Sequence, residues 1–171
     1  MLAGPPRLGP VRLLAVDGPS GAGKSTVAAE LAILLGATVV STDHFATWAD
    51  PVSWWPRLVD GVLDPLRRGE SGRYRRLDWS GGAPRPGAEV TVAVPDVLIV
   101  EGVSAGRWSV RRWLNFLAWC DLPDPAQRLA RAVARDGERD RAALVAWQRF
   151  ETGWFVVDGT AAAAAAHVRY A

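Results

Sequence analysis

The sequence contains little cysteine and no long apolar segment. Its only cysteine, Cys120, excludes a disulfide within the chain, and no second thiol or nearby histidine makes it part of a zinc signature. Cys120 stands in the apolar run LNFLAWC and is predicted to be buried. No stretch approaches the roughly 18 apolar residues of a membrane span, and prolines and arginines interrupt the N-terminal segment where a signal peptide needs a continuous apolar run. We therefore expect a cytoplasmic chain with no membrane partner.

Lysine is equally scarce. Of the 20 cationic side chains only Lys24 is a lysine, and the arginines are interspersed with 18 acidic side chains, which leaves a net charge of +2. Because the basic residues are not massed in one patch, nucleic acid is not an expected partner. A chain that uses arginine for every other positive charge keeps one ammonium, which indicates a role at this position that a guanidinium does not fill.

Short apolar segments alternate with helical patterns along the 171 residues. VRLLAVDG, ATVVSTD, PDVLIVEGV and LNFLAWCDLP have the pattern of buried strands, and PDVLIVEGV is apolar on both faces, as a central parallel strand is. KSTVAAELAILL has helical spacing and stops at Gly36. Strands that alternate with helices predict one three-layer α/β domain, in which a central parallel β-sheet is flanked by helices.

The remaining segments are less regular. SWWPRLVDGVLDPLRRGE predicts a helix disturbed by Pro56, Gly61 and Pro65, and RYRRLDWSGGAPRPGAE predicts a surface loop or a small hairpin. DPAQRLARAVARDGERDRAALVAWQRFE is mostly helical, with a charged break at RDGERDR. In the C-terminal tail the run of alanines favours a helix, whereas HVRY favours a last strand, and we prefer the strand.

A phosphate-binding loop is the clearest functional signal, because GPSGAGKST fits the pattern G-x-x-x-x-G-K-[ST] between a strand and a helix. Its glycines let the backbone N–H groups point inward at phosphate oxygens, and the following helix adds its positive dipole end. The compact ammonium of Lys24 fits among β- and γ-phosphate oxygens, and the Ser25 hydroxyl lies where Mg²⁺ bridges them. We therefore expect ATP and Mg²⁺ as cofactors. The predicted nucleotide-binding residues are Gly18, Pro19, Ser20, Gly21, Ala22, Gly23, Lys24, Ser25 and Thr26.

Three classes of protein carry such a loop, and the sequence favours a small-molecule kinase. Guanine-recognising switches use an Asn-Lys-x-Asp element, but no lysine follows Lys24 and the only asparagine is Asn115. Large ATPases need a longer chain and arginines from neighbouring subunits. A short chain with an arginine-rich segment suits a kinase better.

Two acids follow predicted strands at the carboxyl edge of the sheet, where the phosphate-binding loop also opens. Asp43, in VVSTDHFA, is the candidate to orient an attacking hydroxyl, and the alternative is a cap or turn residue. Glu101, in LIVEG, is the candidate to bind Mg²⁺ directly or through water, with Asp43 as a further ligand; the alternative is a solvated acid at a strand end.

The segments GPSGAGKS, STDHF, LIVEG and RDGERDR, in this order, resemble the uridine kinase family of P-loop nucleoside kinases. The resemblance implies transfer of phosphate from a nucleoside triphosphate with Mg²⁺ to the 5′-hydroxyl of uridine or cytidine. It implies a single domain over 1–171, with an acceptor-binding insertion at about 46–90 and a lid at about 135–142. Its implied site residues are Asp43 as the base, Phe45 as a wall of the nucleoside pocket, Asp50 at the ribose hydroxyls, and Arg135, Arg139 and Arg141 as the lid arginines that stabilise transferring charge.

The sequence departs from this family at the acceptor. Ala46 stands where the family often has Tyr, and the His and Arg that read the pyrimidine are missing, with Arg85 as a substitute. The chain is also shorter than typical members. The tryptophans between residues 48 and 79 can stack on a base or another flat acceptor, or pack in the core and lid. These are Trp48, Trp54, Trp55 and Trp79.

Other functions therefore stay open. A nucleoside monophosphate acceptor would use Arg73, Arg75 and Arg76 for its phosphate, and a small alcohol would need none of them. A regulator that binds ATP without turnover is the alternative outside the enzymes. The oligomeric state is open between a monomer and a homo-oligomer.

Overall fold

A parallel sheet between helices forms the centre of the protein in a computed structural model that describes residues 4–79 and 83–169. In chain order the elements are β1 (Arg12–Asp17), α1 (Lys24–Leu35), β2 (Thr38–Ser41), a 3₁₀ turn (Thr42–His44), α2 (Trp55–Leu58), a π-helical turn (Val59–Leu63), α3 (Asp64–Arg67), β3 (Gly72–Asp78), β4 (Arg85–Val92), β5 (Val97–Glu101), a 3₁₀ segment (Trp108–Trp113), β6 (Leu114–Asp121), α4 (Pro125–Asp136), a 3₁₀ turn (Glu138–Asp140), α5 (Arg141–Asp158), α6 (Thr160–Ala163) and β7 (Ala166–Arg169).

The five-stranded sheet has the order β2-β5-β1-β6-β7, and every neighbouring pair is parallel. This confirms the predicted fold class and each predicted strand of the sheet. β5 lies between β2 and β1, and all five of its residues are buried, as its apolar sequence on both faces predicts. The tail contains both predicted structures, because α6 takes up the first alanines and β7 then pairs with β6. Tyr170, the end of the predicted HVRY strand, lies outside the described residues.

Both faces of the sheet are covered by apolar side chains. Along β1, Leu14 and Val16 join the cluster packed under α1, whereas Leu13 and Ala15 join the larger cluster on the opposite face. Alternate residues of a strand point to opposite faces, so a strand buried on both sides must be apolar throughout. Cys120 belongs to the α1 side and is fully buried, as predicted.

The irregular helix and the hairpin are also confirmed. α2, the π-helical turn and α3 follow one another without a gap, and Pro56 and Pro65 each stand in the first turn of a helical piece, where a missing N–H costs least. β3 and β4 form an antiparallel pair outside the main sheet. Residues 80–82 of the predicted hairpin segment lie outside the described residues.

The charged break between the last two long helices is present. α4 ends at Asp136, Gly137 follows with a φ of 106°, and a 3₁₀ turn leads into α5. Residues on both sides of this break line a cavity together with residues of the phosphate-binding loop.

Candidate active site

The phosphate-binding loop joins the end of β1 to the start of α1. Gly18 has a φ of 144° and Gly21 a φ of 78°, and a side chain at either position would meet backbone. A Cβ would lie 2.1 Å from the carbonyl oxygen of Cys120 at Gly18 and 2.4 Å from that of Arg128 at Gly21. The glycines therefore allow both the turn and its close contact with β6 and α4.

Lys24 opens α1 and is only 9% exposed. Its ammonium donates a hydrogen bond to the carbonyl of Pro19, 3.0 Å away, so it bridges the two ends of the loop. Lys24 also lines the cavity described below, and its contact with phosphate oxygens stays a prediction.

A buried acid that the sequence analysis did not identify supports the start of this loop. Asp17 is fully buried, and its carboxylate accepts N–H bonds from Gly18, Ser104 and Gly106 at 2.7, 3.1 and 2.8 Å. Burial raises the pKa of Asp17 to about 7, against the lowering effect of these donors and of Lys24. Asp17 thus ties the phosphate-binding loop to the loop that follows β5.

A cavity of about 420 Å³ brings together residues that are far apart in the chain. Of the predicted site residues, it is lined by Ser20, Lys24, Ser25, Asp43, Trp79, Glu101, Arg135 and Arg139. The carboxyl ends of β2 and β5 supply the two acids, as expected for parallel neighbours in one sheet.

The two predicted acids both face this cavity. Ser41, not Asp43, caps the 3₁₀ turn, because its hydroxyl accepts the Asp43 N–H at 3.3 Å while the Asp43 side chain lines the cavity. Glu101 is 6% exposed, so it is not a solvated strand-end acid. Its carboxylate accepts a hydrogen bond of 3.2 Å from the Ser25 hydroxyl.

Ser25 and Glu101 fit a magnesium site, because hydroxyl and carboxylate oxygens are the protein ligands that this hard cation takes. Within residues 4–79 and 83–169 no group of three or more His, Cys, Asp or Glu is placed to hold a metal ion. A site of this kind therefore depends on phosphate oxygens of the nucleotide to complete the coordination, which is the usual arrangement for Mg²⁺ in phosphoryl transfer.

Of the three arginines predicted for the lid, two line the cavity. Arg135 is paired with Asp136 at 2.6 Å, and this bond together with the charges of Asp43 and Glu101 raises the pKa of the guanidinium. Arg139 lies 3.6 Å from Asp140 and also lines the cavity. Arg141 pairs with Glu138 on the exposed side and is not among the lining residues.

Tryptophans form an apolar part of the cavity lining, and only two of the four between residues 48 and 79 take part. Trp48 packs edge-to-face on Trp79, with ring centroids 5.3 Å apart, and on Trp147 of α5 at 5.8 Å. We call these three residues the tryptophan wall. Trp54 and Trp55 are 2% and 4% exposed and belong to the core. The sequence analysis missed Trp147, whose place in a helical pattern indicated only a packing face.

Three predicted acceptor residues lie away from the cavity. Phe45 is 1% exposed and stacks on Trp54 and Tyr74 in the core. Asp50 accepts the N–H of Ser53 at 2.8 Å within the turn that precedes α2, and it is not among the residues that line the cavity. Arg85 is exposed at the start of β4, opposite Asp78 in the hairpin.

Comparison with solved structures shows what this arrangement is similar to. A possible uridine kinase from Bacillus stearothermophilus superposes with a TM-score of 0.67 at 18% identity, over 92% of this chain and 88% of that one. D-glycerate 3-kinase from Cryptococcus neoformans superposes with a TM-score of 0.58 at 14% identity, over 83% and 78%. No family model matches the chain, and no curated protein matches it either. The chain has a P-loop kinase fold.

In this P-loop kinase fold the lining of the cavity has a polar and an apolar part. Lys24, Ser25 and Glu101 belong to the polar part, whose chemistry suits a triphosphate and its cation, and the tryptophan wall forms the apolar part. Asp43 also lines the cavity, together with Arg135 and Arg139. Among the described residues, no helix is both long enough and apolar enough to cross a bilayer.

Proposed function

We propose that this protein is an ATP-dependent small-molecule kinase that transfers the γ-phosphoryl group to a hydroxyl of an acceptor, in the first place the 5′-hydroxyl of a pyrimidine nucleoside. The observation that supports it best is that Asp43 lines the same cavity as Lys24 and Ser25 of the phosphate-binding loop. A carboxylate beside a phosphate site is what in-line transfer to a hydroxyl requires.

The residues take the following roles in the proposed reaction. Loop N–H groups and Lys24 hold the triphosphate, and Ser25 and Glu101 would hold Mg²⁺, which supplies charge neutralisation when bound. Asp43 orients the acceptor hydroxyl and accepts its proton as the new oxygen–phosphorus bond forms. The bond from the γ-phosphorus to the bridging oxygen breaks, and ADP leaves with that electron pair. Arg135 and Arg139 compensate the charge on the transferring group.

The tryptophan wall supports an acceptor with a flat or apolar body. Indole surfaces bind planar rings by stacking, so a nucleobase fits this part of the cavity. A monophosphate acceptor is less well supported, because Arg73, Arg75 and Arg76 are not among the lining residues. Arg75 instead donates to the carbonyl of Gly87 within the hairpin. Since D-glycerate 3-kinase has the same fold, small alcohols belong in the same test.

The test is Mg·ATP consumption with a panel of nucleosides, nucleoside monophosphates and small alcohols. We expect uridine or cytidine to stimulate turnover, and Asp43→Asn to lower kcat by about 10²- to 10⁴-fold while ATP still binds, as is usual for loss of a general base. Asp50→Asn, in a turn away from the cavity, is the matched control and should keep its activity.

The other outcomes separate the alternatives. Stimulation by a different acceptor class would keep the kinase and reject the nucleoside. If the unsubstituted chain binds ATP but shows no turnover with any acceptor in the panel, and Asp43→Asn binds ATP equally well, the enzyme is rejected in favour of the ATP-binding regulator.

A further inference from the structure

Glu151 of α5 is a buried acid that the proposed reaction does not use. It is 1% exposed, and both of its carboxylate oxygens accept the backbone N–H of Ser20 in the phosphate-binding loop, at 3.1 and 3.0 Å. A buried carboxylate is costly unless it is paired with a donor or an opposite charge. Here the donor is the backbone N–H of Ser20, so the carboxylate of Glu151 contacts the phosphate-binding loop directly.

The surroundings of Glu151 are cationic on the side of the loop. The charges of Lys24 and Arg128 and the Ser20 N–H lower the pKa of its carboxyl, whereas burial, the largest effect, raises it. Arg128 also borders the loop, because its backbone carbonyl lies against Gly21. The tip of the loop, Ser20 and Gly21, is therefore held between α4 and α5.

The face of α5 that carries Glu151 also contributes to the lining of the cavity. Leu144 and Trp147 line the cavity, and they precede Glu151 by seven and four residues, a spacing that places side chains on one helix face. One rigid helix thus contacts both the tryptophan wall and the phosphate-binding loop.

We propose that Glu151 is a positioning residue that holds the tip of the phosphate-binding loop, through the Ser20 N–H, in the conformation that binds the triphosphate. The inference rests on the proposed function, because it presupposes that the loop binds ATP. What Glu151 supplies is a hydrogen-bond acceptor at a fixed place. Its negative charge, close to the phosphates, opposes ATP binding.

Two substitutions separate the effect of the hydrogen-bond acceptor of Glu151 from the effect of its negative charge. Glu151→Met has a similar shape and no acceptor, so the Ser20 N–H loses its partner. Glu151→Gln keeps an acceptor oxygen and removes the charge. Glu30→Met, an exposed glutamate on α1, is the matched control.

The measurement is the Kd of Mg·ATP by titration calorimetry, without any acceptor, together with the Tm of each variant. We expect Glu151→Met to bind about 10-fold more weakly, the order expected from losing a hydrogen bond to a charged group, with no fall in Tm. Glu151→Gln should bind at least as tightly as the unsubstituted chain, and Glu30→Met should bind equally.

Two results for Glu151→Met would overturn the inference. Unchanged ATP binding in Glu151→Met rejects it, and a lowered Tm with unchanged Kd assigns Glu151 to folding alone. If Glu151→Met does not fold, Glu151→Gln decides, since weaker binding by that variant contradicts positioning through an acceptor. If the unsubstituted chain does not bind Mg·ATP, the proposed function fails as well, which distinguishes the two failures.

Discussion

Asp17 illustrates how one residue can support a loop without touching a ligand. Its three N–H donors come from two loops, Gly18 on the phosphate-binding loop and Ser104 and Gly106 after β5. Because burial raises the pKa of Asp17 from 3.8 to about 7, the folded chain binds a proton there more tightly than the unfolded chain does. Protonation of this group therefore stabilises the folded state, and that contribution is lost as the pH rises toward 7.

Asp17→Asn should remove this dependence on pH, since an amide does not titrate. The free energy of unfolding of the unsubstituted chain, minus that of the variant, should fall by up to about 1.4 kcal/mol per pH unit between about pH 4 and pH 7, and level off above. Urea unfolding of both proteins across this range measures it. Groups common to the two chains cancel in the difference. A difference independent of pH would show that Asp17 is ionised throughout.

At the scale of elements, the break between α4 and α5 places the arginines predicted for the lid in different surroundings. Arg135 lies in the last turn of α4 and faces the cavity, whereas Arg141 opens α5 on the exposed side, after the chain has turned at Gly137. The resemblance to the uridine kinase family implies one role for both residues. Their different places in the structure predict different effects.

Arg135→Gln should lower kcat by about 10²-fold or more, the order found when a donor to the transition state is removed. Arg141→Gln is its matched control, because it deletes the same group from the same segment, and should change kcat by less than about 3-fold, as expected of an exposed ion pair. Steady-state turnover with the best acceptor measures both. Equal losses would mean that the lid moves to bring Arg141 into the cavity.

Local patterns in the sequence were sufficient to predict the elements but not the partition of side chains between core and cavity. The strands were predictable because β1 and β5 each contain four consecutive apolar residues, and the helix break because Gly137 stands among charges. Trp54 and Trp48 are six residues apart with similar sequence surroundings, and only tertiary packing places one in the core and the other at the cavity. Glu151 was missed because an acid in a long helix indicates an exposed face.

At the scale of the whole molecule, the cavity is assembled from distant parts of the chain. Lys24, Asp43, Glu101, Arg135 and Trp147 come from five separate elements, and they meet only when the sheet, α4 and α5 are in place. A ligand in this cavity contacts all of these parts in the folded state and none of them together in the unfolded state. Binding should therefore stabilise the entire domain.

Thermal unfolding tests this coupling without an acceptor. At a Mg·ATP concentration of 100 times its Kd, linkage predicts about 2.7 kcal/mol of added stability, which for a domain of this size raises the Tm by about 5–10 °C. Removing Mg²⁺ with a chelator should shrink the shift, because Ser25 and Glu101 would then lack the cation that we propose they hold. Lys24→Ala should reduce it to near zero while leaving the Tm without nucleotide nearly unchanged. A shift that persists in Lys24→Ala would place the nucleotide outside the phosphate-binding loop. The roles proposed for Asp43 and Glu151 would then be wrong as well, because both assume that the loop binds ATP.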